Sequence, residues 1–379
     1  MLSYGRKPPY PTGAEGLNVV LGENLCRNVF KELWNRSLKK EKVAMINMKE
    51  WCRNVIDSRE RVAIPIMTHP GIELCGETVQ QAVTDGATHA EAIRLLNEKY
   101  PAAASTVIMD LTVEAECFGA NVVFAENEVP NVVDRLVHDR ASIEALQVPS
   151  VNSARMPEYL KANRLSAQYV KDKPVFGGCI GPFSLAGRLY DMSEMMMALY
   201  VEPDTIRLLL EKCTEFIISY LRAMKETGVN GVIIAEPAAG LVSNEDCSAF
   251  SSVYIARIVE ELQDDNFMIV LHNCGNSGHC TAAMLETNAA GLHFGNSINM
   301  VDALTGCPED ILVMGNIDPV GVFKMSTPEK VKSETLALLQ NTSKWKNFVL
   351  STGCDVPPHV PMENIAAFYE ALDEYNRRS

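Results

Sequence analysis

Short, continuously apolar runs recur along this chain, and each is usually followed by a longer amphipathic segment. There are eight such runs, at residues 61–67, 105–111, 174–180, 231–237, 268–274, 291–296, 311–317 and 348–354. Continuous rather than alternating apolar character is typical of strands covered on both faces, and segments such as 203–227 and 327–340 suit the crossover helices between parallel strands. Together these units predict a (β/α)8 barrel of the TIM type.

A doubly wound open sheet is the alternative fold, but the chain lacks the Gly-x-Gly-x-x-Gly turn that a dinucleotide site on such a sheet would use. Residues 121–126 are either a ninth strand or part of a hairpin. Residues 1–46 combine a Pro/Gly-rich start with a polar helical stretch at 23–42, and we interpret them as an amino-terminal extension. The barrel domain is then predicted to occupy residues 47–379.

Composition and charge exclude several classes of protein. A formal net charge of -14 makes an extended phosphate-binding face improbable, so nucleic acid is not expected as a partner. The amino terminus lacks the apolar core of a signal peptide, and apolar runs stay short of the roughly 18 residues of a membrane span. We therefore expect a cytoplasmic protein without a membrane partner, whose 11 cysteines are reduced thiols.

Polar or reactive residues stand at or just after the ends of several predicted strands. In a barrel, these carboxyl ends converge on the face where barrel enzymes place their active sites. The residues concerned are Glu236, His272, Cys274, Asn316, Asp318 and Cys354. This face is therefore the predicted active site.

His272 and Cys274 form a His-x-Cys pair at a strand end, where alternate side chains share a face. A cysteine from a distant strand, such as Cys354, would complete a three-ligand set that suits zinc and leaves the fourth position open for substrate. The alternative is a hydrogen-bonded histidine among buried cysteines. His279 and Cys280 are rival ligands, although the start of the next helix is the expected place for them.

Several other residues each leave two interpretations open. Glu236 is a candidate catalytic group, as a transient metal ligand or substrate contact, or else it pairs with a neighbouring base. Asp318 contacts substrate or caps the following helix. Gly181, in the segment GCIGPFSLAG, shapes the pocket wall or allows tight packing. Asn316 is predicted to contact substrate at the barrel mouth.

Five segments, taken in order, resemble the uroporphyrinogen decarboxylase superfamily. They are MDLTVEAECFG (109–119), GCIGPFSLAG (178–187), LHNCGN (271–276), MGNIDP (314–319) and STGCDVPPHVPMENI (351–365). Within the superfamily the chain is most similar to the zinc-dependent methylcobamide:thiol methyltransferases. That resemblance implies a uroporphyrinogen decarboxylase-like barrel, with His272, Cys274 and Cys354 as zinc ligands. Asp110 matches an aspartate that both groups of the superfamily share, and it is a further catalytic candidate.

Uroporphyrinogen decarboxylases are the competing interpretation. Members of that group resemble one another in an Arg-rich segment after the first strand, since a substrate with eight carboxylates requires guanidinium groups. Here the corresponding stretch, residues 67–93, contains neither Arg nor Lys. One departure from the methyltransferases is the strand at 291–296, where His293 stands near a position that is acidic in relatives.

The resemblance implies that a thiol binds zinc as thiolate and exchanges a methyl group with a corrinoid. The chain lacks an Asp-x-His-x-x-Gly segment of the corrinoid-binding kind, so we expect a separate corrinoid protein as partner, with a small-molecule thiol or methyl donor as the other substrate. A non-catalytic zinc-binding or corrinoid-binding module is a further alternative. A structural zinc would need a fourth ligand such as Cys280 or His293.

Overall fold

The computed structural model describes residues 46–378. The strands of the described chain are β1 (Ser105–Thr106), β2 (Asn121–Ala125), β3 (Glu128–Val133), β4 (Val175–Ile180), β5 (Gly231–Ala235), β6 (Met268–Asn273), β7 (Gly291–Phe294), β8 (Leu312–Ile317) and β9 (Phe348–Thr352). Seven of them form a central parallel sheet in the order β1-β4-β5-β6-β7-β8-β9. The order follows the chain without the reversal that defines a doubly wound sheet. The topology therefore supports the barrel.

The first apolar run, residues 61–67, joins the two edges of this sheet. The Ile64 amide donates to the Leu350 carbonyl (2.9 Å) of β9, and the Ala103 amide, just before β1, donates to the Ala63 carbonyl (2.9 Å). The predicted TIM-type barrel is confirmed. The run itself forms only an isolated bridge between Ala63 and Leu350 and not the predicted full strand, because Pro65 has no amide hydrogen to continue the ladder.

Helices follow most strands and cover the outside of the sheet. Before the sheet's second strand they are α1 (Met48–Asp57), α2 (His69–Cys75), α3 (Val79–Thr84), α4 (Gly86–Lys99), α5 (Val113–Cys117), α6 (Arg140–Ala145) and α7 (Met156–Tyr169). After it they are α8 (Pro182–Tyr190), α9 (Met192–Val201), α10 (Pro203–Lys225), α11 (Asn244–Cys247), α12 (Val253–Leu262), α13 (Thr281–Leu285), α14 (Met300–Gly306), α15 (Pro328–Asn341) and α16 (Met362–Arg378). A 3-10 turn spans Pro237–Leu241, and π-helical turns span Ser248–Ser252 and Pro319–Lys324.

The two crossover helices predicted from the sequence are confirmed as α10 and α15. Each begins with a proline in its first turn, where the missing amide hydrogen costs nothing. At α15 the Thr327 side chain also accepts a hydrogen bond from the Lys330 amide and caps the helix. The uncertain run at 121–126 forms β2, which pairs antiparallel with β3 as a hairpin between β1 and β4.

Side chains of the barrel strands alternate between two apolar clusters. On β6, Met268 and Val270 belong to a cluster built almost wholly from strand residues, which is the barrel interior. Ile269 and Leu271 belong instead to the larger cluster shared with the surrounding helices. Because the strand period is two, His272 continues the inner series and its side chain enters the barrel at the carboxyl end.

Residues 1–45 of the predicted extension, with its polar helix, lie outside the described residues. Within residues 46–378, no helix combines the length and the apolar character needed to cross a bilayer. The cysteines of this part of the chain are free thiols, as the sequence predicts.

Candidate metal centre

Three side chains from two barrel strands meet at the carboxyl end of the sheet. His272 is on β6, Cys274 follows that strand directly, and Cys354 follows β9. One ring nitrogen of His272 and the two sulfur atoms all lie within 4.8 Å of one another. The structure thus brings together the three residues that the sequence predicted as metal ligands.

The imidazole of His272 has one nitrogen without a partner. Its Nδ1 lies 2.8 Å from Nδ1 of His293, while its Nε2 is buried without a hydrogen-bond partner in the described chain. Burial of an unpartnered polar atom is costly, and each such atom calls for an explanation. A metal ion that takes the Nε2 lone pair provides one.

The two cysteines influence each other's ionisation. A hydrogen bond between the thiols lowers the pKa of Cys274 below its ordinary value and raises that of Cys354, to which burial also contributes. The site thus favours a first thiolate at Cys274. An imidazole and two thiolates are a ligand set that zinc accepts, and the residues fit that ion.

The rival ligands are engaged elsewhere. His279 Nε2 lies 3.0 Å from the Val242 carbonyl, and Cys280 Sγ lies 3.5 Å from the same oxygen. Cys280 directly precedes α13, the position predicted for it. His293 contacts His272 through Nδ1 and Ser351 through Nε2. Among the described residues the group therefore has three members, and a zinc ion held by three protein ligands would keep a fourth position for substrate.

A cavity of about 600 Å³ opens beside Cys274. Its walls are mainly apolar, with Ile180 and Pro237 among them, and two arginines enter it. Arg135 lies 3.5 Å from Glu194, whereas the half-buried Arg188 has no ion-pair or hydrogen-bond partner within residues 46–378. Burial lowers the pKa of Arg188, although the neighbouring acids partly oppose this shift. The cavity thus combines apolar surface with a cation that makes no hydrogen bond or ion pair within residues 46–378, although two aspartates also line it.

Glu236 is buried against the start of α8 and not among the metal-ligand group. Its Oε1 accepts hydrogen bonds from the amides of Phe183 (3.1 Å) and Ser184 (3.4 Å), and its Oε2 accepts one from Ser251 Oγ (3.2 Å). Burial raises its pKa to about 8. A Cβ atom on Gly181 would lie 1.8 Å from Oε1, which shows that Gly181 serves the tight packing here.

Asp110 forms a buried network with Arg155. The Arg155 Nη1 lies 2.6 Å from Asp110 Oδ2, and the Tyr159 hydroxyl donates to the same oxygen (3.0 Å). The amide and hydroxyl of Thr112 donate to Oδ1. Each carboxylate oxygen therefore already has two partners, and the predicted catalytic role of Asp110 stays a prediction.

The two polar residues near the end of β8 have structural partners. Asn316 Nδ2 donates to the carbonyls of Gly295 (2.8 Å) and Ile298 (2.7 Å), and it braces the loop after β7. The Asp318 side chain accepts from the Val320 and Gly321 amides, both at 2.9 Å. The capping interpretation of Asp318 is confirmed, while substrate contacts by either residue stay predictions.

A pair that was not predicted from the sequence, the buried His69 and the half-buried Asp355, lies beside Cys354. His69 Nδ1 lies 3.3 Å from Asp355 Oδ2 and 3.1 Å from the Val356 carbonyl, and His69 Nε2 and Asp355 Oδ1 have no partner in the described chain. Burial lowers the pKa of His69, but Asp355 outweighs it and the net shift is upward. Their positions in the sequence could have indicated them, because His69 follows the first apolar run and Asp355 directly follows the predicted ligand Cys354.

Comparison with known proteins identifies the family of this chain. The family model described as uroporphyrinogen decarboxylase (URO-D) matches residues 61–375. The methylcobamide:CoM methyltransferase MtbA of Methanosarcina mazei is 30% identical over 314 residues, which cover 79% of this chain and 90% of the relative. A uroporphyrinogen decarboxylase of Legionella pneumophila (strain Lens) is 25% identical over 284 residues, covering 73% and 80%.

A solved structure described as a methyltransferase from Methanosarcina mazei superposes with a TM-score of 0.78 at 22% identity. It covers 87% of this chain and 99% of its own, and it shows the same fold. The family model spans most of the barrel, and the relative with 30% identity is named a methyltransferase. The chain therefore belongs to the uroporphyrinogen decarboxylase family, within which it is a methyltransferase.

Proposed function

We propose that the protein is a zinc-dependent corrinoid methyltransferase, which moves a methyl group between a methylcorrinoid protein and a small thiol. The observation that carries this proposal is the unpartnered, buried Nε2 of His272 beside the thiols of Cys274 and Cys354. The MtbA relative, named a methylcobamide:CoM methyltransferase, supports the reaction class.

Zinc held by His272, Cys274 and Cys354 would bind a thiol at its open position and favour the thiolate near neutral pH. The chain supplies the ligands from two strands of a rigid barrel, which fixes where the substrate sulfur lies. The protein chain itself contributes by positioning the substrate sulfur and by supplying apolar cavity walls that exclude water around the reacting atoms.

In the proposed step, the substrate sulfur attacks the methyl carbon of a methyl-Co(III) corrinoid. A C–S bond forms, the Co–C bond breaks, and its electron pair stays on cobalt as Co(I). The thiol proton leaves to solvent when the thiolate forms, so atoms and charges balance. In the reverse direction the same geometry serves demethylation of a thioether by Co(I).

The cavity beside Cys274 supports a substrate that carries an anionic group. Arg188 is a guanidinium without a hydrogen-bond or ion-pair partner in the described chain, in a cavity with mainly apolar walls. Asp134 and Asp191 also line this cavity, and the Asp191 side chain is engaged in capping α9. A carboxylate or sulfonate on the thiol would form a charge-assisted hydrogen bond with it. The thiol end would then lie toward Cys274 and the anion toward α8.

The corrinoid is proposed to arrive on a separate protein that docks over the barrel mouth. Within residues 46–378 the proposed ligands follow β6 and β9 and the cavity lies beside Cys274, which supports docking on this face. Participation of Glu236 or Asp110, and substrate contacts by Asn316, Asp318 or Gly181, remain separate proposals. Location in the cytoplasm likewise remains a proposal.

The test is methyl transfer from methylcobalamin to a panel of small thiols, followed by the absorbance change of the corrinoid. We expect about one zinc per wild-type chain, together with thiol-dependent demethylation. Cys354→Ser and His272→Ala should lose both, whereas the control Cys307→Ser should keep both, since the Cys307 thiol lies outside the metal-ligand group.

If wild-type protein holds zinc and Cys354→Ser holds the same amount, the proposed set of zinc ligands is wrong. Turnover of uroporphyrinogen without thiol-dependent demethylation would favour the decarboxylase alternative. Tight zinc binding without turnover of either substrate would favour a non-catalytic module. Each outcome separates one candidate from the others.

A further inference from the structure

Four buried groups form a continuous line of hydrogen bonds that ends at the proposed metal site. The Ile64 carbonyl lies 2.7 Å from Ser351 Oγ, which lies 2.8 Å from His293 Nε2. His293 Nδ1 lies 2.8 Å from His272 Nδ1. Ser351, His293 and His272 are each at most 1% exposed, so bulk water does not substitute for any of these partners.

The direction of every bond follows from counting hydrogens. A carbonyl oxygen only accepts hydrogen bonds, so Ser351 donates its single hydroxyl hydrogen to the Ile64 carbonyl. Ser351 Oγ must then accept from His293, which places the ring hydrogen of His293 on Nε2. A neutral imidazole carries one such hydrogen, and His293 Nδ1 is therefore an acceptor.

The same count continues to the metal ligand. Since His293 Nδ1 carries no hydrogen, the hydrogen between the two rings is bonded to His272 Nδ1. His272 Nε2 is then the nitrogen with the free lone pair, and it is also the atom without a partner in the described chain. A ligating histidine needs this arrangement, in which the second nitrogen donates to an outer group.

We propose that His293 is a positioning residue that fixes the tautomer and the ring orientation of His272, so that Nε2 is presented to the metal. This inference rests on the proposed zinc site and names the group that prepares it. His293 does not serve as a ligand, because both of its nitrogens are already engaged. The Ser351 hydroxyl determines which atom donates in each of these hydrogen bonds.

The strand register makes this contact possible. His272 of β6 and His293 of β7 are direct partners in the parallel ladder, and their rings meet edge to face with centroids 4.6 Å apart. Both side chains point into the barrel, so the ring of His293 lies beside the ring it orients. Two adjacent strands thus hold the two rings in place.

The test compares two substitutions at one position in the full-length chain. His293→Asn places an amide oxygen near the site of Nδ1 and keeps an acceptor for His272, whereas His293→Leu removes it. We expect zinc affinity, measured by competition with a chromophoric chelator, to fall about 10–100-fold in His293→Leu and to stay within about threefold of wild type in His293→Asn. His279→Asn is the control, since His279 contacts Val242.

A direct readout of the tautomer is nitrogen-15 NMR of the imidazole rings in zinc-free protein. Wild type and His293→Asn should show His272 with its hydrogen on Nδ1. Ser351→Ala removes the hydroxyl that accepts from His293 Nε2, so His293 can adopt the tautomer with its hydrogen on Nδ1. That hydrogen would then be donated to His272 Nδ1, and the His272 hydrogen should move to Nε2. Zinc binding should be weaker as a result. This variant also decides the matter if His293→Leu does not fold.

Equal zinc affinity in wild type, His293→Leu and Ser351→Ala, or a His272 hydrogen on Nε2 in wild type, would overturn the inference. Absence of zinc binding in wild type would instead overturn the proposed function. The two failures are distinguishable, because the first leaves a zinc site that needs no preparation by His293.

Discussion

The Nη1 atom of Arg155 lies 2.6 Å from Oδ2 of Asp110, and the two side chains are 9% and 0% exposed. Arg155 also contacts Glu116 Oε2 (2.6 Å) and the hydroxyl of Thr112 (2.9 Å). The guanidinium is thus surrounded by acceptors, and it also lies over the ring of Phe124 on β2, 4.7 Å from the ring centroid. A charge pair this deeply buried is sensitive to the loss of one partner, because the remaining ion is left without compensation.

We predict that Arg155→Met lowers the free energy of unfolding by about 3–5 kcal/mol, since it leaves the Asp110 carboxylate buried and unpaired. The double variant Asp110→Asn/Arg155→Met should be less destabilised than Arg155→Met alone. Urea denaturation measures both. Arg140→Met is the matched control, because Arg140 and Glu144 form an exposed pair that contributes less than about 1 kcal/mol. Similar losses in Arg155→Met and the control would contradict the prediction.

Much of the fold was predictable because burial on both faces leaves a mark in the sequence. Strands such as β6 and β9 are buried throughout and begin with three or four apolar residues, and α15, which lies between them in the chain, carries threonine and proline at its start. The first run was harder to interpret. It has the same apolar character, but Pro65 reduces its pairing to one bridge. How many ladder hydrogen bonds a proline removes depends on which strands lie next to it.

The ligand set was predictable only in part from the strand ends, which converge in any barrel. The choice of Cys354 as the third ligand came from the resemblance to the zinc-dependent methyltransferases. The groups around this ligand set were not predictable. His293 contacts His272 only because β6 and β7 pair in one particular register, and Ser351 reaches His293 from β9. Arg188, on α8, lines the cavity without a hydrogen-bond or ion-pair partner within residues 46–378. These relationships depend on lateral neighbours that spacing along the chain does not reveal.

Arg188 is predicted to select anionic thiols. With methylcobalamin as methyl donor, Arg188→Met should raise the KM for 2-mercaptoethanesulfonate about 10-fold or more, in line with the loss of one charge-assisted hydrogen bond. The KM for the uncharged 2-mercaptoethanol should change little. Steady-state kinetics with both thiols checks this, with Arg140→Met as the control for loss of a surface charge. A parallel rise for the two thiols would argue that Arg188 shapes the cavity and does not bind an anion.

Glu114 is predicted to make stability depend on pH. It is 1% exposed, its Oε1 accepts from the Ile180 amide (3.2 Å), and burial raises its pKa from 4.5 to about 8. A raised carboxyl pKa means that the folded state holds a proton that the unfolded state releases. Its stabilising contribution is full below pH 4.5 and is lost as pH rises through about 8.

Glu114→Gln should therefore gain stability relative to wild type as pH rises from 5.5 to 8.5, by up to about 1.4 kcal/mol per pH unit within that window. Urea denaturation in the presence of a chelator measures the difference without a contribution from metal binding. The exposed Glu144→Gln serves as control and should run parallel to wild type. A difference between Glu114→Gln and wild type that is independent of pH would show that Glu114 is already ionised in the folded protein.

Gly181 is predicted to be required by its contact with Glu236. An added Cβ would lie 1.8 Å from Glu236 Oε1 and 2.3 Å from its Cδ, so Gly181→Ala must displace a carboxyl group that caps α8. We expect a loss of about 1–3 kcal/mol in the free energy of unfolding, the usual cost of overpacking a buried site. Gly306→Ala is the control, since the nearest atom to a Cβ there is Thr281 Cγ2 at 4.0 Å.

The pairing can be isolated with a double variant, because residues in contact give non-additive changes in stability. Glu236→Ala alone should be destabilising, since it leaves the Phe183 and Ser184 amides without their acceptor. Once that side chain is gone, adding Gly181→Ala should cost much less than it does in wild type. Additive losses in the double variant would mean that the carboxyl group of Glu236 moves aside freely and that the cost of Gly181→Ala arises from other neighbours, since the backbone of Gly181 is in the ordinary extended region.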